Sequence, residues 1–144
     1  MMLIHKKIPS RLDIIPGFLT EFTQKLAPLG LSEEELFNVK LSVEEAVVNA
    51  IRHGNRQDPS LFVEVAAEAH NGCLTIKVVD QGEGFDFENV ADPTHNHNLA
   101  KLSGRGVFLI RKLMDKVDYF DCGRGIKMIK FLKRHSIKRN DKDA

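Results

Sequence analysis

The sequence predicts an α+β fold, a two-layer sandwich in which an antiparallel or mixed, mostly antiparallel, sheet carries helices on one face. Three observations point to it. The segments run in the order strand, helix, helix, strand, strand, long loop, helix, strand, strand. Asn71-Gly72 joins two alternating runs, "LFVEVAAEAH" and "CLTIKVVD", which is the strongest short-range signal for a hairpin. Residues 36–50 carry one continuous apolar stripe at helical spacing.

Taken in order, "MLIHKKI" alternates loosely and reads as the first strand. "GFLTEFTQKLAPLG" has helical apolar spacing at Phe18, Phe22 and Leu26, and Pro28 and Gly30 end it. Ser32 opens S-E-E-E, a capping box with Glu35 in the third helical position. The helix that follows places Leu36, Val39, Val43, Ala46, Val47 and Ala50 on one stripe, and Gly54 is expected to stop it as a C-cap glycine. After the Asn71-Gly72 hairpin, "QGEGFDFENVADPTHNHNLAKLSG" has no periodicity and many breakers. It is too long for an ordinary connection, which marks it as functional or mobile. "GVFLIRKLMDKV" is helical, and "DYFDCGRGIKMIKFL" reads as a second hairpin turning at Cys122 to Gly125.

The 144 residues form one domain with enough chain for a core, spanning 1–144 with a basic, solvated tail from about 133. A net charge of +1 implies no general attraction to nucleic acid or membrane. The two cysteines, Cys73 and Cys122, lie far apart outside any C-x-x-C pattern, which suits a reducing compartment. No apolar run approaches the ~20 residues needed to span a bilayer. "MMLIHKKIPS" lacks a signal-peptide core, so the expected location is cytoplasmic.

Three stations carry chemistry. In "LSVEEAVVNAIRHGN", Glu45, Asn49 and His53 advance by four residues, so they form a polar line that turns only about 80° over ~12 Å. Such a line can border a cleft while the apolar stripe holds the helix to the sheet. A carboxylate can act as a base, and an amide oxygen is a hard ligand suited to Mg2+. The plain reading of the same residues is a solvated helix face, with His53 near the C-terminus for dipole reasons. Glu44 points about 100° away from Glu45 and reads as solvated. The second station is "VVDQGEGFD". Asp80 ends a strand, and Gly82 and Gly84 leave room for a flat ligand against the backbone. The carboxylate can accept a hydrogen bond from an exocyclic amine, which favours adenine over guanine; the plain reading is an acidic turn. The third is "SGRGVFLIRKL". Gly104 and Gly106 open a helix whose free N–H groups suit an anion, and Arg105 adds a charge that reaches phosphate. Neither the phosphate loop G-x-x-x-x-G-K-[ST] nor a dinucleotide fingerprint is present. His95 and His97 are better read as part of a polar loop than as a metal pair, because spacing suggests no third ligand.

Together the stations resemble the GHKL (Bergerat-fold) ATPases, the group that includes gyrase and the histidine kinases. Within it the chain is similar to the small anti-sigma-factor serine/threonine kinases of bacteria. "EAVVNAIRHGN" resembles their N box, "DQGEGF" their first glycine box and "GRGVFLIRKLMDKVDY" their second, over roughly residues 8 to 132. The resemblance implies a mixed sheet with helices on one face, and Mg2+-ATP lying between the N-box helix and a lid at about residues 86 to 103. It implies Glu45 as general base, Asn49 as Mg2+ ligand, and His53 and Gly54 near the nucleotide. Asp80 would bind the adenine amine with Gly82 and Gly84 beside the base, and Gly104, Arg105 and Gly106 would face the phosphates. Two departures stand out. Val107 replaces a usual Leu, and Gly125-Ile126 and Lys127 stand where the family often has Gly-Thr and a further Thr.

Two functions follow from the resemblance. One is a protein kinase that phosphorylates an anti-sigma antagonist protein. The other is a nucleotide-dependent switch that sequesters a sigma factor or other regulator with little or no transfer. The resemblance also suggests a homodimer. A sensor histidine kinase would need a dimerising hairpin with an acceptor His upstream of the N box, where only about 30 residues stand. Gyrase-type proteins need a second domain to read hydrolysis, and none is legible here.

Overall fold

The computed structural model describes residues 1–84 and 104–132, the side chains of residues 104–107 excepted. The expected lid at residues 86 to 103, with His95 and His97, and the basic tail from about 133 lie outside the described residues. In chain order the elements are β1 (Met2–Pro9), α1 (Ile15–Lys25), α2 (Glu33–Asn49), β2 (Phe62–His70), β3 (Cys73–Val79), α3 (Gly104–Leu113), β4 (Lys116–Phe120) and β5 (Gly125–Phe131). This is the expected α+β order.

The sheet runs β1-β2-β3-β5-β4. All four pairings are antiparallel, so the mixed sheet is corrected to an antiparallel one among the described residues. The reason lies in the second hairpin. The chain re-enters through α3 into β4, and the hairpin folds β5 back between β4 and β3. β3 and β4, which run in the same direction, are thereby separated.

Asn71 (φ 52°) and Gly72 (φ 76°) both occupy the left-handed region. That is the two-residue hairpin turn whose twist matches the flanking strands. The register it sets aligns Ile4, Ala67, Ile76, Met128 and Val117 across all five strands. One face of the sheet is therefore apolar, and the helices cover it. Phe18, Leu19 and Phe22 of α1, Val39, Val43 and Val47 of α2, and Ile110 of α3 are buried against Val65, Ile76, Val78 and Met128.

The capping box forms in both directions. Glu35 N donates to Ser32 Oγ at 3.0 Å and Ser32 N donates to Glu35 Oε1 at 2.9 Å. This satisfies two orphan donors and fixes where α2 starts. The helix boundaries shift modestly. α1 begins at Ile15, with Pro16 in its first turn where no N–H is needed, and Pro28 lies in a separate short turn, Ala27–Leu29. α3 ends at Leu113, because Lys116 and Val117 pair with Ile129 and Met128 as strand. The second turn spans residues 121–124, with Gly125 already paired to Phe120 in the ladder.

Gly54 does not act as a left-handed C-cap. α2 continues into one wide π turn, Ala50–Gly54, closed by Asn55 N donating to Ala50 O at 2.8 Å. The left-handed residues come later, at Arg56 (φ 53°) and Gln57 (φ 57°). Such one-turn π segments recur at functional sites, because the extra residue re-aims the side chains around it.

Candidate functional site

At the C-terminal end of α2 the structure opens a cleft whose empty space, counted out into the solvent at its mouth, is ≈ 670 Å³. Asn49, His53, Gly54, Asp80 and Gly84 line it, with Ala46 and Ala50. Residues 46, 49, 50 and 53 are spaced i, i+3, i+4, i+7, so one helix face forms the wall. Glu45 does not line the cleft; it sits half-buried on the flank of that face, one turn before Asn49. Glu44 is half-buried as well, rather than solvated.

Asp80 follows the last residue of β3 and forms the floor. Its Oδ1 accepts from Gly82 N at 2.8 Å, and its own N–H donates to Arg124 O at 3.0 Å. Gly54 and Gly82 are glycine for a steric reason. A Cβ on Gly54 would overlap the Asp80 carboxylate, and a Cβ on Gly82 would overlap the carbonyl of Gly54. Gly84 needs its left-handed φ of 82°, and a Cβ there would run into Cys122 O. The three glycines thus let the end of the π turn, the loop after β3 and the β4–β5 turn meet around one carboxylate.

Asn55 secures the back of this junction. It is 2% exposed, and its side chain donates to Ser10 Oγ at 2.9 Å and Phe62 O at 2.8 Å while accepting from Gln81 N at 2.7 Å. It therefore ties the end of β1, the start of β2 and the residue after Asp80 to the π turn.

Charge in the cleft is tuned mainly by burial. Burial raises the Asp80 carboxyl above its ordinary value, the Gly82 N–H and the Arg124 charge pull it down, and Asp121 pushes it up. Burial lowers His53, and the neighbouring Arg52 lowers it further, which favours the neutral imidazole. Burial raises Tyr119, and Arg111 opposes that. The Oδ1 atom of Asn49 is buried without a hydrogen-bond partner among the described residues. A buried, uncompensated amide oxygen is costly in a free protein and is suited to a hard cation such as Mg2+. No cluster of three His, Cys, Asp or Glu that could hold a metal exists among the described residues, and Mg2+ commonly takes ligands from substrate phosphates and water.

Gly104 is the first residue of α3, and Arg105 and Gly106 lie in its first turn, as the spacing requires. Their side-chain surroundings fall outside the description. Among the cleft residues that were not legible in the sequence are Arg56, Tyr119 and Arg124, with Glu83 and Gly123. Arg56 reaches Glu83 across the mouth, with Nη2 3.9 Å from Oε2. Tyr119 and Arg124 arrive on the β4–β5 hairpin. The pairing of Val79 with Gly125 places them beside Asp80, and no local pattern carries that information.

The chain is 28% identical to the serine-protein kinase RsbW of Staphylococcus epidermidis over 145 aligned residues, covering 95% of this chain and 91% of that protein. It is 25% identical to the serine-protein kinase RsbW of Staphylococcus aureus with the same coverage. A crystal structure of the RsbU and RsbW domains of a Mycobacterium tuberculosis protein superposes with a TM-score of 0.60 at 16% identity, over 88% of this chain and 30% of that longer one. That likeness is one of fold. No helix among the described residues is long and apolar enough to cross a membrane. The model of the histidine kinase-like ATPase domain matches residues 8–133, and the chain belongs to that family.

Proposed function

We propose that this protein is an ATP-binding anti-sigma regulatory factor that phosphorylates a serine or threonine of an anti-sigma antagonist protein. The observation that carries the reading is the meeting of Asp80, Gly54, Gly84, His53 and Asn49 around one cleft. Asp80 accepts a hydrogen bond from the adenine amine, and Gly84 leaves the backbone open to the base. Asn49 Oδ1, buried and unpartnered among the described residues, would hold Mg2+. That ion supplies neutralisation of phosphate charge when bound. Gly104, Arg105 and Gly106 open α3, and the free N–H groups of a helix start suit the phosphates. Glu45 lies on the flank nearest Asn49, where an incoming protein hydroxyl approaches. In the transfer, the hydroxyl oxygen bonds to the γ-phosphorus, the bond from that phosphorus to the ADP oxygen breaks, and Glu45 takes the proton. Positioning and electrostatics supply most of the acceleration in such a reaction. The protein acts in the cytoplasm as a homodimer, with the antagonist and a sigma factor as partners.

A second reading is a nucleotide-dependent switch that sequesters a sigma factor without transfer. Two observations favour it: Glu45 stands outside the cleft lining, and Lys127 stands where the resemblance expects threonine. Incubation with radiolabelled ATP and the co-purifying antagonist separates the two. Label on the antagonist, lost with Glu45→Ala, supports the kinase. Nucleotide-dependent capture of the sigma factor with no label on either protein supports the switch.

A further inference from the structure

The β4–β5 turn does more than close a hairpin. Arg124 in that turn binds the loop after β3 through both its backbone and its side chain. Its carbonyl accepts from Asp80 N at 3.0 Å. Its Nε donates to Gly82 O at 2.7 Å, its Nη2 to Glu83 O at 3.3 Å and its Nη1 to Asp121 O at 3.3 Å. One guanidinium thus spans three carbonyls, two of them in the Gly82–Gly84 loop. The carbonyl of Cys122, two residues earlier in the turn, stands where a Cβ on Gly84 would lie, so no side chain fits at that position. Two of the three loop positions carry no side chain, and the loop's other holds are the Gly82 N–H bond to Asp80 Oδ1 and the long, exposed Arg56–Glu83 pair. A planar fork is the side chain suited to several carbonyls at once, and lysine cannot copy it.

We propose that Arg124 is the positioning residue of base recognition: its fork holds the Gly82–Gly84 backbone in the shape that aims Asp80 and leaves Gly84 open to the base. This rests on the nucleotide reading of the cleft. Arg124 also has an electrostatic reach that a purely structural tether lacks. Its charge favours the ionised form of Asp80 against burial and against Asp121. The other titratable groups facing the same cleft are His53, Arg56, Glu83 and Tyr119.

Two variants separate tether from charge. Arg124→Gln removes both, and Arg124→Lys keeps the charge but cannot fork. ATP affinity is measured by calorimetry from pH 5 to 8. Amide exchange at Gly82 to Gly84 is followed in the nucleotide-free protein. Both variants should exchange faster in that loop and bind ATP about tenfold more weakly, the loss given by roughly one hydrogen bond's worth of ordering. Only Arg124→Gln should also move the acid limb of binding to higher pH. Parental loop exchange and an ATP affinity within twofold of the parent in Arg124→Gln would overturn the inference alone. A parent that binds no ATP would overturn the nucleotide reading and this inference with it, even where loop exchange changes as expected.

Discussion

In the proposed nucleotide site, Asp80 is a residue that would serve binding at the expense of stability. Its carboxyl is held above the ordinary value, mainly by burial. The folded state therefore binds that proton more tightly than the unfolded state does. The stabilisation from this group is full below the unfolded value near 3.8 and is lost as pH rises through the raised folded value. At neutral pH the buried charge is a liability to the free protein. Asp80→Asn should accordingly leave thermal stability at pH 7 unchanged or raised. It should weaken ATP by roughly 1.5–3 kcal/mol, because the amide turns an N–H toward the adenine amine. Calorimetric titration with ATP and GTP should find the preference for adenine lost in this variant; a preserved preference would move base recognition elsewhere. Asn49 and Glu45 make the complementary pair. Asn49→Ala should abolish the Mg2+ dependence of nucleotide binding, because the buried ligand oxygen is gone. Glu45→Ala should bind nucleotide like the parent and lose phosphoryl transfer, since its carboxylate lies outside the cleft lining. If the two variants fail together in binding, metal and base roles are not divided as assigned.

At the scale of elements, α2 has two ends with different tasks. Its start is fixed by a reciprocal capping box that touches nothing in the cleft. Ser32→Ala should cost about 0.5–2 kcal/mol in urea denaturation and leave ATP affinity as it was. Its far end is a π turn that brings Gly54 against Asp80. Gly54→Ala keeps a favourable helical residue type, so intrinsic propensity alone predicts a small gain. The added Cβ has no room beside the carboxylate, however, and the Asp80 side chain must swing away. The expected outcome is a pronounced loss of ATP affinity, with a stability change far smaller than that loss. Nuclear magnetic resonance of the Gly82 amide, which donates to Asp80, reads the displacement directly.

For the whole molecule, the cleft gathers pieces from three regions: the end of α2 with its π turn, the end of β3 with the loop after it, and the β4–β5 hairpin. A ligand that bridges them stabilises the fold globally. ATP with Mg2+ at a hundred times its Kd should add about 2.7 kcal/mol to the unfolding free energy. The metal-dependent part of that gain should vanish in Asn49→Ala, as a thermal melt series with and without Mg2+ would show. Equal stabilisation of parent and variant would remove Asn49 from the metal site.

The types and order of the elements were written in local patterns. The Asn71-Gly72 turn, the Ser32–Glu35 box and the apolar stripe from Val39 to Ala50 each depend on neighbours within a few residues, and each formed as the pattern requires. Asn49, His53 and Asp80 were equally legible as polar groups out of place on a helix or strand end. Long-range pairing decided the rest. β5 rather than β4 lies next to β3, which makes the sheet antiparallel throughout the described residues and delivers Arg124 and Tyr119 to the cleft. Gly54 matched a helix stop by position, yet its role comes from a carboxylate 26 residues away that only the folded chain brings into contact. Glu45 aligned with Asn49 along the helix, but the cleft wall follows residues 46, 49, 50 and 53, because packing against the sheet sets which face turns inward. Sequence spacing fixes angles about a helix axis; the rotation of that axis toward its neighbours is settled by the core as a whole.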